Sequence, residues 1–418
     1  MTSSDFSVKF HSIDKSSNKL HFEVEGDKVY GFDKSIINGI RRTLITDIET
    51  CAFEETNIII NTNKSALHNE FLKHRISLIP LYINPVDYEY LLFELKVKCN
   101  DETIKNITVD MFNIYRLNTH TKHLLKQQST MDYIPEEDDI KEKLKEVNTT
   151  YYDLDSPLSD TDKEKIFRPF VIDKFKSFFL LTELKSLHSK DEFEEIDLYC
   201  IPSIDSGRTH AKYNNLSTAV YSFKHNEKMF KDVLQDKIKL NKIKNVEEYS
   251  KSLYLSEGER YYYRDSNNEP YWYDFMIESN HYYDSKTLFI QSVDILENRF
   301  TSILENMKEI GNESPYTIES LKNDTTYKIN MPNEDDTTGN ILQCHMVNKF
   351  INSTSFVQFC GYKRPHPLRN EIFTNIMVRP NEHSQPEVVQ YIISEMEKTI
   401  EDILNVLKRF KDTADKNL

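Results

Sequence analysis

At 418 residues, with 38% hydrophobic and 12% aromatic content, the chain is long and apolar enough for two or three domains with a sizeable core. A net charge of −15 argues against the chain gripping a nucleic-acid backbone by itself, since phosphate contacts need clustered Lys and Arg. It leaves open a place in a nucleic-acid machine whose other subunits touch DNA.

The opening residues alternate. Phe6, Val8 and Phe10, then Leu20, Phe22 and Val24, predict a half-buried antiparallel strand pair. Asp33 is placed to cap a helix striped by Ile36, Ile37, Ile40, Leu44 and Ile48, with Arg41 on the edge of the stripe and Arg42 nearly opposite it. A short strand follows at Ile58–Ile60 and a helix over Ser65–Arg75. Phe93, Leu95, Val97 and Cys99 alternate with Glu94, Lys96 and Lys98, a strand with one wet face. The polar, acidic stretch from Met131 to Lys165 reads as a mobile loop or surface helix, preceded by His120 and His123 in a polar run. The segment 224–265, rich in Lys, Asn and Tyr, reads as another long surface excursion.

Order returns with a strand at Tyr271–Ile277. Val293, Leu296, Phe300, Ile303, Leu304, Met307 and Ile310 then form a periodic helix, closed by Gly311 and followed by Pro315, the best linker in the chain. Beyond it Tyr327, Ile329 and Met331 alternate as a strand, and Glu334–Thr338 offers N-caps for a helix running to about Lys349. Strands near Phe356–Tyr362 and Glu371–Val378 precede a long last helix striped by Val389, Ile392, Ile393, Met396, Ile400, Ile403, Leu404 and Leu407.

The cysteines, Cys51, Cys99, Cys200, Cys344 and Cys360, contain no CxxC pair. Neither a disulfide framework nor a four-cysteine zinc site is expected, and the compartment reads as intracellular and reducing. The N-terminus has no signal-peptide pattern, and no apolar run approaches the roughly 18 residues of a membrane span. No Gly-rich phosphate loop, nucleophile elbow or aspartate metal triad is present, so no cofactor, metal or catalytic residue is assigned.

The order strand, helix, strands, long helix occurs twice. Placing Asn38 on Asn340 puts Ser35 on Thr337, Ile40 on Leu342, Leu44 on Met346 and Ile45 on Val347. Two such units, each with one wet face, would bury it by packing on each other as an isologous dimer does. Fusing them removes an association cost on the order of 4–15 kcal/mol. The alternative is that any α+β protein yields two capped amphipathic helices.

Five blocks carry a resemblance. Phe32–Ile45 (FDKSIINGIRRTLI), Leu67–Leu81 (LHNEFLKHRISLIPL) and Gly207–Tyr213 (GRTHAKY) resemble, in order, three blocks of the alpha-like subunits of multisubunit DNA-dependent RNA polymerase: bacterial alpha, the archaeal D-type chain and the eukaryotic third-largest subunit. Glu334–Asn340 (EDDTTGN) and Phe359–Leu368 (FCGYKRPHPL) resemble the small alpha-like partner, the archaeal L-type chain. One chain carrying both is similar to the fused version in large DNA viruses. The resemblance implies an α+β fold with two alpha-like dimerisation modules forming an internal pseudo-dimer rather than a homodimer. The first module would comprise 1–57 and 268–311, with a mixed α/β insert over 58–267, and the second 312–418. It also implies a non-catalytic assembly platform for the two largest subunits and small adaptor subunits, with no membrane and no sequence-specific DNA contact, in the virion and host cytoplasm if the viral likeness holds. Two departures bear on this. The cysteine sets for the eukaryotic insert's zinc and for some archaeal iron–sulfur clusters are missing, and the DNA-binding domain that ends bacterial alpha is absent from the chain.

The resemblance points to Arg41, Arg42, His68, Glu70, His74, Arg75, Arg208, His210, Lys212 and Lys363 as subunit-interface residues. Ile40, Leu44, Phe300, Ile303, Leu304, Leu342, Met396, Ile400, Ile403 and Leu407 are the candidate seam between halves. Each has a plainer reading. Arg41 and Arg42 could be a solvated helix face, although guanidinium forks suit carboxylate and carbonyl partners. Glu70 and His74, four apart, could be a surface contact. Arg208, His210 and Lys212 alternate, so a strand would put them on one face, either against an acidic partner or at a solvated edge. Asp335 and Asp336 are explained by helix capping before Mg²⁺, and His366 between two prolines by a rigid turn. A stand-alone interaction module or regulator that binds polymerase subunits is the main alternative function, and a metallo-hydrolase using the scattered histidines and carboxylates is another.

Overall fold

A computed structural model describes residues 7–14, 18–26, 32–99, 104–116, 157–185, 193–266, 268–311, 313–321, 325–351, 356–379 and 384–417. The chain opens with β1 (Ser7–Asp14), β2 (Lys19–Glu25) and α1 (Lys34–Thr46). Next come β3 (Glu49–Asn63), α2 (Asn69–Ser77), β4 (Leu91–Lys98), β5 (Lys105–Thr108), β6 (Asn113–Arg116), α3 (Asp160–Ile166), β7 (Phe170–Ile172), β8 (Phe175–Ser177), β9 (Leu180–Leu184) and β10 (Glu195–Ser206). β11 (Leu216–Phe223), α4 (Glu227–Asn241), α5 (Val246–Glu257), β12 (Trp272–Ser279) and α6 (Ser285–Lys308) follow. The last part holds β13 (Thr317–Ser320), β14 (Thr326–Pro332), α7 (Asp336–Ile351), β15 (Val357–Lys363), β16 (Glu371–Val378) and α8 (Gln385–Asn417). His120, His123 and the acidic run Glu136–Asp139 lie outside the described residues. Contacts divide the chain into two compact units, 1–47 with 216–418, and 48–215.

The first unit contains the repeat. Its two four-stranded antiparallel sheets have the orders β1-β2-β12-β11 and β13-β14-β16-β15. Strand for strand these are the same sheet, each with a capped helix after its second strand and a long helix after its last. α1 begins at Asp33, whose carboxylate accepts from the Ser35 and Ile36 amides at 2.8 and 3.4 Å. α7 begins at Asp335, which accepts from the Thr337 and Thr338 amides at 2.9 and 3.4 Å. Each cap satisfies donors that the first helical turn leaves without partners. The expected duplication is therefore present, and the two modules form an internal pseudo-dimer.

The second unit is built on the antiparallel sheet β3-β10-β4-β6, with β5 paired to β9 and a β7–β8 hairpin. Its core centres on Phe93, which meets Phe53 and Phe167 edge-to-face at 5.0 and 5.6 Å. Leu72 and Ile76 pin α2 to this core. Burial raises the thiol pKa of Cys51, to about 12, and that of Cys200.

Several elements differ from expectation. β3 is a fifteen-residue strand, not the short run Ile58–Ile60. Polar residues Glu54–Asn57 interrupt its apolar pattern where its register with β10 shifts, between Cys200 and Pro202. α2 starts at Asn69, because Asn63 binds the Ser65 amide and hydroxyl and holds the preceding residues in a turn. The contact boundaries fall at 47/48 and 215/216 rather than 57/58 and 267/268, since β3 pairs with β10 while β11 completes the first module's sheet. The excursion over 224–265 is a pair of helices, α4 and α5, capped by Asn226 and Asn245. Phe230, Leu253 and Tyr261 give this pair a small core of its own.

Candidate subunit interface and the seam between modules

α1 and α7 run antiparallel across the seam. Asn348, late in α7, donates to Asp33 at the start of α1 (3.2 Å). Arg42, late in α1, donates through Nε to Thr337 at the start of α7 (2.9 Å). Midway, a Cβ built on Gly39 would lie 2.7 Å from Ile341 Cδ1. The absence of a side chain at Gly39 is what allows this approach. Burial agrees in detail with the repeat. Ser35, Ile36, Ile37, Gly39, Ile40, Thr43 and Leu44 are buried, as are Thr337, Thr338, Gly339, Ile341, Leu342, His345 and Met346 at the matching positions. The Thr43 hydroxyl and His345 Nε2 are buried without a hydrogen-bond partner. Burial lowers the His345 pKa against the opposing pull of Asp33 and Asp402.

The long helices complete the seam. Phe300, Ile303, Met396, Ile400, Ile403 and Leu407 are fully buried, while Leu304 is half-buried at the margin of its stripe. Phe410 of α8 packs on Phe32 and Phe289 with centroids 5.3 Å apart in each case. At the other end of the seam Arg299 of α6 reaches Glu334 at 3.3 Å and Asp335 at 3.1 Å. Glu334 also accepts from Thr338 (2.9 Å) and Tyr316 (3.1 Å). Burial raises its pKa, opposed by the Arg299 charge and these two hydroxyls.

Reasoning from the sequence missed Arg299 and Glu334. The available signal was Arg299 itself, three residues after Leu296 and four before Ile303, a charge beside the apolar stripe that needs a partner. Glu334 was read only as part of a capping segment.

The candidate docking residues fall into three kinds of setting. Arg41 is half-buried, 3.4 Å from the Asn38 side chain, and Arg42 is exposed apart from its bond to Thr337. In the second unit His68, Glu70 and His74 are exposed, and the ion pair joins His68 to Glu70 at 2.5 Å. Arg75 donates to the carbonyls of Leu181 (2.8 Å) and Leu180 (2.6 Å), tying α2 to β9. Phe71 and Leu78 of the same segment are exposed. No strand runs through Arg208, His210 and Lys212, so the condition for their sharing a face is not met. Asp205 accepts from Thr209 and starts a turn, and His210 caps a 3-10 turn by accepting from the Lys212 amide (3.1 Å). Lys212 then turns inward to Glu54 (2.8 Å) with its side chain 5% exposed, so the three residues share no face. In the second module Lys363 is exposed at the end of β15, and His366 accepts from the Leu368 amide in the expected turn. Among the described residues no cluster of three His, Cys, Asp or Glu side chains could hold a metal ion, and no helix is long and apolar enough to cross a membrane.

Comparison with known proteins gives a consistent result. The RNA polymerase Rpb3/Rpb11 dimerisation domain matches twice, over residues 28–300 and again over 326–413. The Dictyostelium discoideum protein "DNA-directed RNA polymerases I and III subunit rpac1" is 27% identical over 225 residues, 51% of each chain. Human "DNA-directed RNA polymerases I and III subunit RPAC1" is 28% identical over 211 residues, 50% of this chain and 52% of its own. "DNA-directed RNA polymerase subunit Rpo3" of Thermococcus kodakarensis is 32% identical over 74 residues, 18% of this chain and 26% of its own. The chain spans about half the length of the eukaryotic relatives it matches.

Proposed function

We propose a function from one premise: the chain belongs to the RNA polymerase Rpb3/Rpb11 dimerisation-domain family. It is a non-catalytic subunit of a DNA-directed RNA polymerase, the platform on which the two largest subunits and small adaptor subunits assemble. The observation that carries this reading is the seam, which joins two matched dimerisation modules in one polypeptide. In the D-type and L-type chains that the two halves resemble, such a pair comes from two polypeptides. Here the second association step is intramolecular, which removes its translational and rotational cost.

Docking is assigned to Arg41 and the exposed head of Arg42, to the α2 segment with His68, Glu70 and His74, to Arg208, and to Lys363. Phe71 and Leu78 join the α2 surface, because exposed apolar side chains among polar ones mark contact sites. His210, Lys212 and Arg75 are kept by this reading for shaping the surface rather than for contacting a partner. The fused-chain likeness supports a polymerase working in an infected host's cytoplasm, a setting that localisation of the tagged chain would test.

Affinity purification of the intact tagged chain tests the main reading. Both largest polymerase subunits should come with it under gentle conditions, and their absence would count strongly against a platform role. Reconstitution with and without the chain separates a platform from a regulator, since a regulator is dispensable for activity.

A further inference from the structure

The β7–β8 hairpin of the second unit is built inside out. Its register pairs Phe170 with Ser177, Val171 with Lys176 and Ile172 with Phe175. Side chains alternate along a strand, and cross-strand partners share a face. One face therefore carries Phe170, Ile172, Phe175 and Ser177, and the other carries Val171 and Lys176. A hairpin that packs on its own domain turns its apolar face inward. Here it is the Lys176 face that meets the domain, through Glu164 of α3 at 2.8 Å. Phe170, Ile172 and Phe175 are left 50, 70 and 80% exposed. Three bulky apolar side chains together make a patch on the order of a few hundred Å², the size that marks a contact site.

The hairpin is nonetheless held in place. Phe170 packs edge-to-face on Phe179 with centroids 4.7 Å apart, and Phe179 packs against the core of the unit. The strand that leaves the hairpin, β9, is fixed to α2, because Arg75 donates to the carbonyls of Leu180 and Leu181. Phe71 lies one helical turn before Arg75 on the same side of α2 and is 68% exposed. A partner seated on Phe71 thus meets the hairpin in a fixed relation to it. Lipid fits this element poorly. The turn between the strands carries the charges of Asp173 and Lys174, and a two-stranded ribbon has open edges whose backbone groups a bilayer cannot satisfy.

We propose that the hairpin is a docking plug: the face formed by Phe170, Ile172 and Phe175 enters an apolar pocket of the same large polymerase subunit that covers Phe71 on α2. The assignment rests on the platform function and adds to it a second anchor, of the apolar kind that carries most of the binding energy at protein interfaces.

The double variant Ile172→Thr with Phe175→Thr keeps strand-compatible residues and removes most of the apolar face. Both positions are exposed, so the isolated variant should unfold at the wild-type urea midpoint. In affinity purification of the intact tagged chain, its recovery of the large subunit through a high-salt wash should fall roughly tenfold or more, since salt screens the charged contacts and leaves the apolar ones to hold. A photo-reactive benzoylphenylalanine in place of Ile172, and separately in place of Phe71, should cross-link to the same large subunit. Unchanged recovery with the double variant would overturn the proposal, as would cross-links from the two positions to different proteins. Wild-type binding to phosphatidylcholine–phosphatidylserine vesicles that the variant loses would assign the face to lipid instead. A concentration-dependent dimer of the isolated wild-type chain that the variant loses would assign it to a second copy, and either result overturns the plug. If the variant's urea midpoint moves, the two cross-links decide. Wild-type chain that recovers no large subunit ends the platform reading and the plug together, whereas wild-type recovery matched by the variant ends the plug alone.

Discussion

Asn348 donates to the same Asp33 carboxylate that caps α1. One carboxylate oxygen holds the first amides of the helix while the other takes a side chain from the opposite module. Starting α1 and closing the seam are thus linked events. Asp33→Ala should cost about 1–2 kcal/mol as a lost cap, and Asn348→Ala about 1 kcal/mol as a lost hydrogen bond. The two should be non-additive by roughly 0.5 kcal/mol or more, as expected for contacting residues. Amide exchange across 34–46 in the single and double variants is the measurement, and strict additivity would mean that the cap and the seam act independently.

Arg299→Met should destabilise the first unit by about 3–5 kcal/mol, because it leaves the buried Glu334 without its cation. Glu334 also gives the seam a pH dependence. Its folded pKa is raised above the ordinary 4.5, chiefly by burial. The folded state therefore holds this proton more tightly than the unfolded one, and stability falls as pH rises from about 4.5 through the folded pKa. Replacing the side chain by Glu334→Gln should remove that slope. Urea midpoints of both proteins across this window, compared by difference, provide the check.

Ile303→Asp or Ile400→Asp places a carboxylate at a fully buried seam position. Each should cost several kcal/mol, opening the seam and abolishing assembly with polymerase subunits. Normal yield of complex from both variants would falsify the pseudo-dimer as the assembling unit.

Lys212 should behave as a structural residue. Glu54 feels burial most strongly, which raises its pKa, but the hydrogen bonds from Lys212 and Tyr213 together with the Lys212 charge outweigh it, and the net shift is downward. The stability it contributes is present above the ordinary 4.5 and is lost as pH falls through the lower folded value. Lys212→Met should weaken that acid-side dependence and lower the stability of the second unit. Docking of that folded variant to the large subunits should be unchanged, and loss of docking without loss of stability would return Lys212 to the interface.

Thiol labelling distinguishes the cysteines. Cys51, Cys99, Cys200 and Cys360 are buried, with burial holding the Cys360 thiol at about 12, whereas Cys344 is half-exposed. At mildly alkaline pH one thiol per chain should react quickly with a small disulfide reagent, and five should react in denaturant. Rapid loss of a second thiol under native conditions would show that one of the four buried sites opens.

Much of this architecture was legible along the chain. Alternation at Leu20, Phe22 and Val24, helical spacing from Val293 to Met307, and the capping aspartates Asp33 and Asp335 report local preferences, and a local preference survives wherever the fold does not oppose it. β3 is longer than its apolar run predicts, and the alternation over 208–212 forms no strand, for the opposite reason. In β3 a register shift in a distant partner strand carries four polar residues through the sheet. In 207–213 a turn seeded by Asp205 overrides an alternating pattern.

The sequence by itself determined the strands, cap and helix stripe of each module, because these are set by neighbours a few residues away, and it was the ordered family blocks rather than that local pattern that made the duplication legible. Only the tertiary structure decided how the copies differ where they meet. Gly39 finds Ile341, Arg299 finds Glu334, and Phe32 finds Phe410 across separations of 35 to several hundred residues. No periodicity encodes such meetings, since they depend on the geometry of closure about a pseudo-two-fold axis.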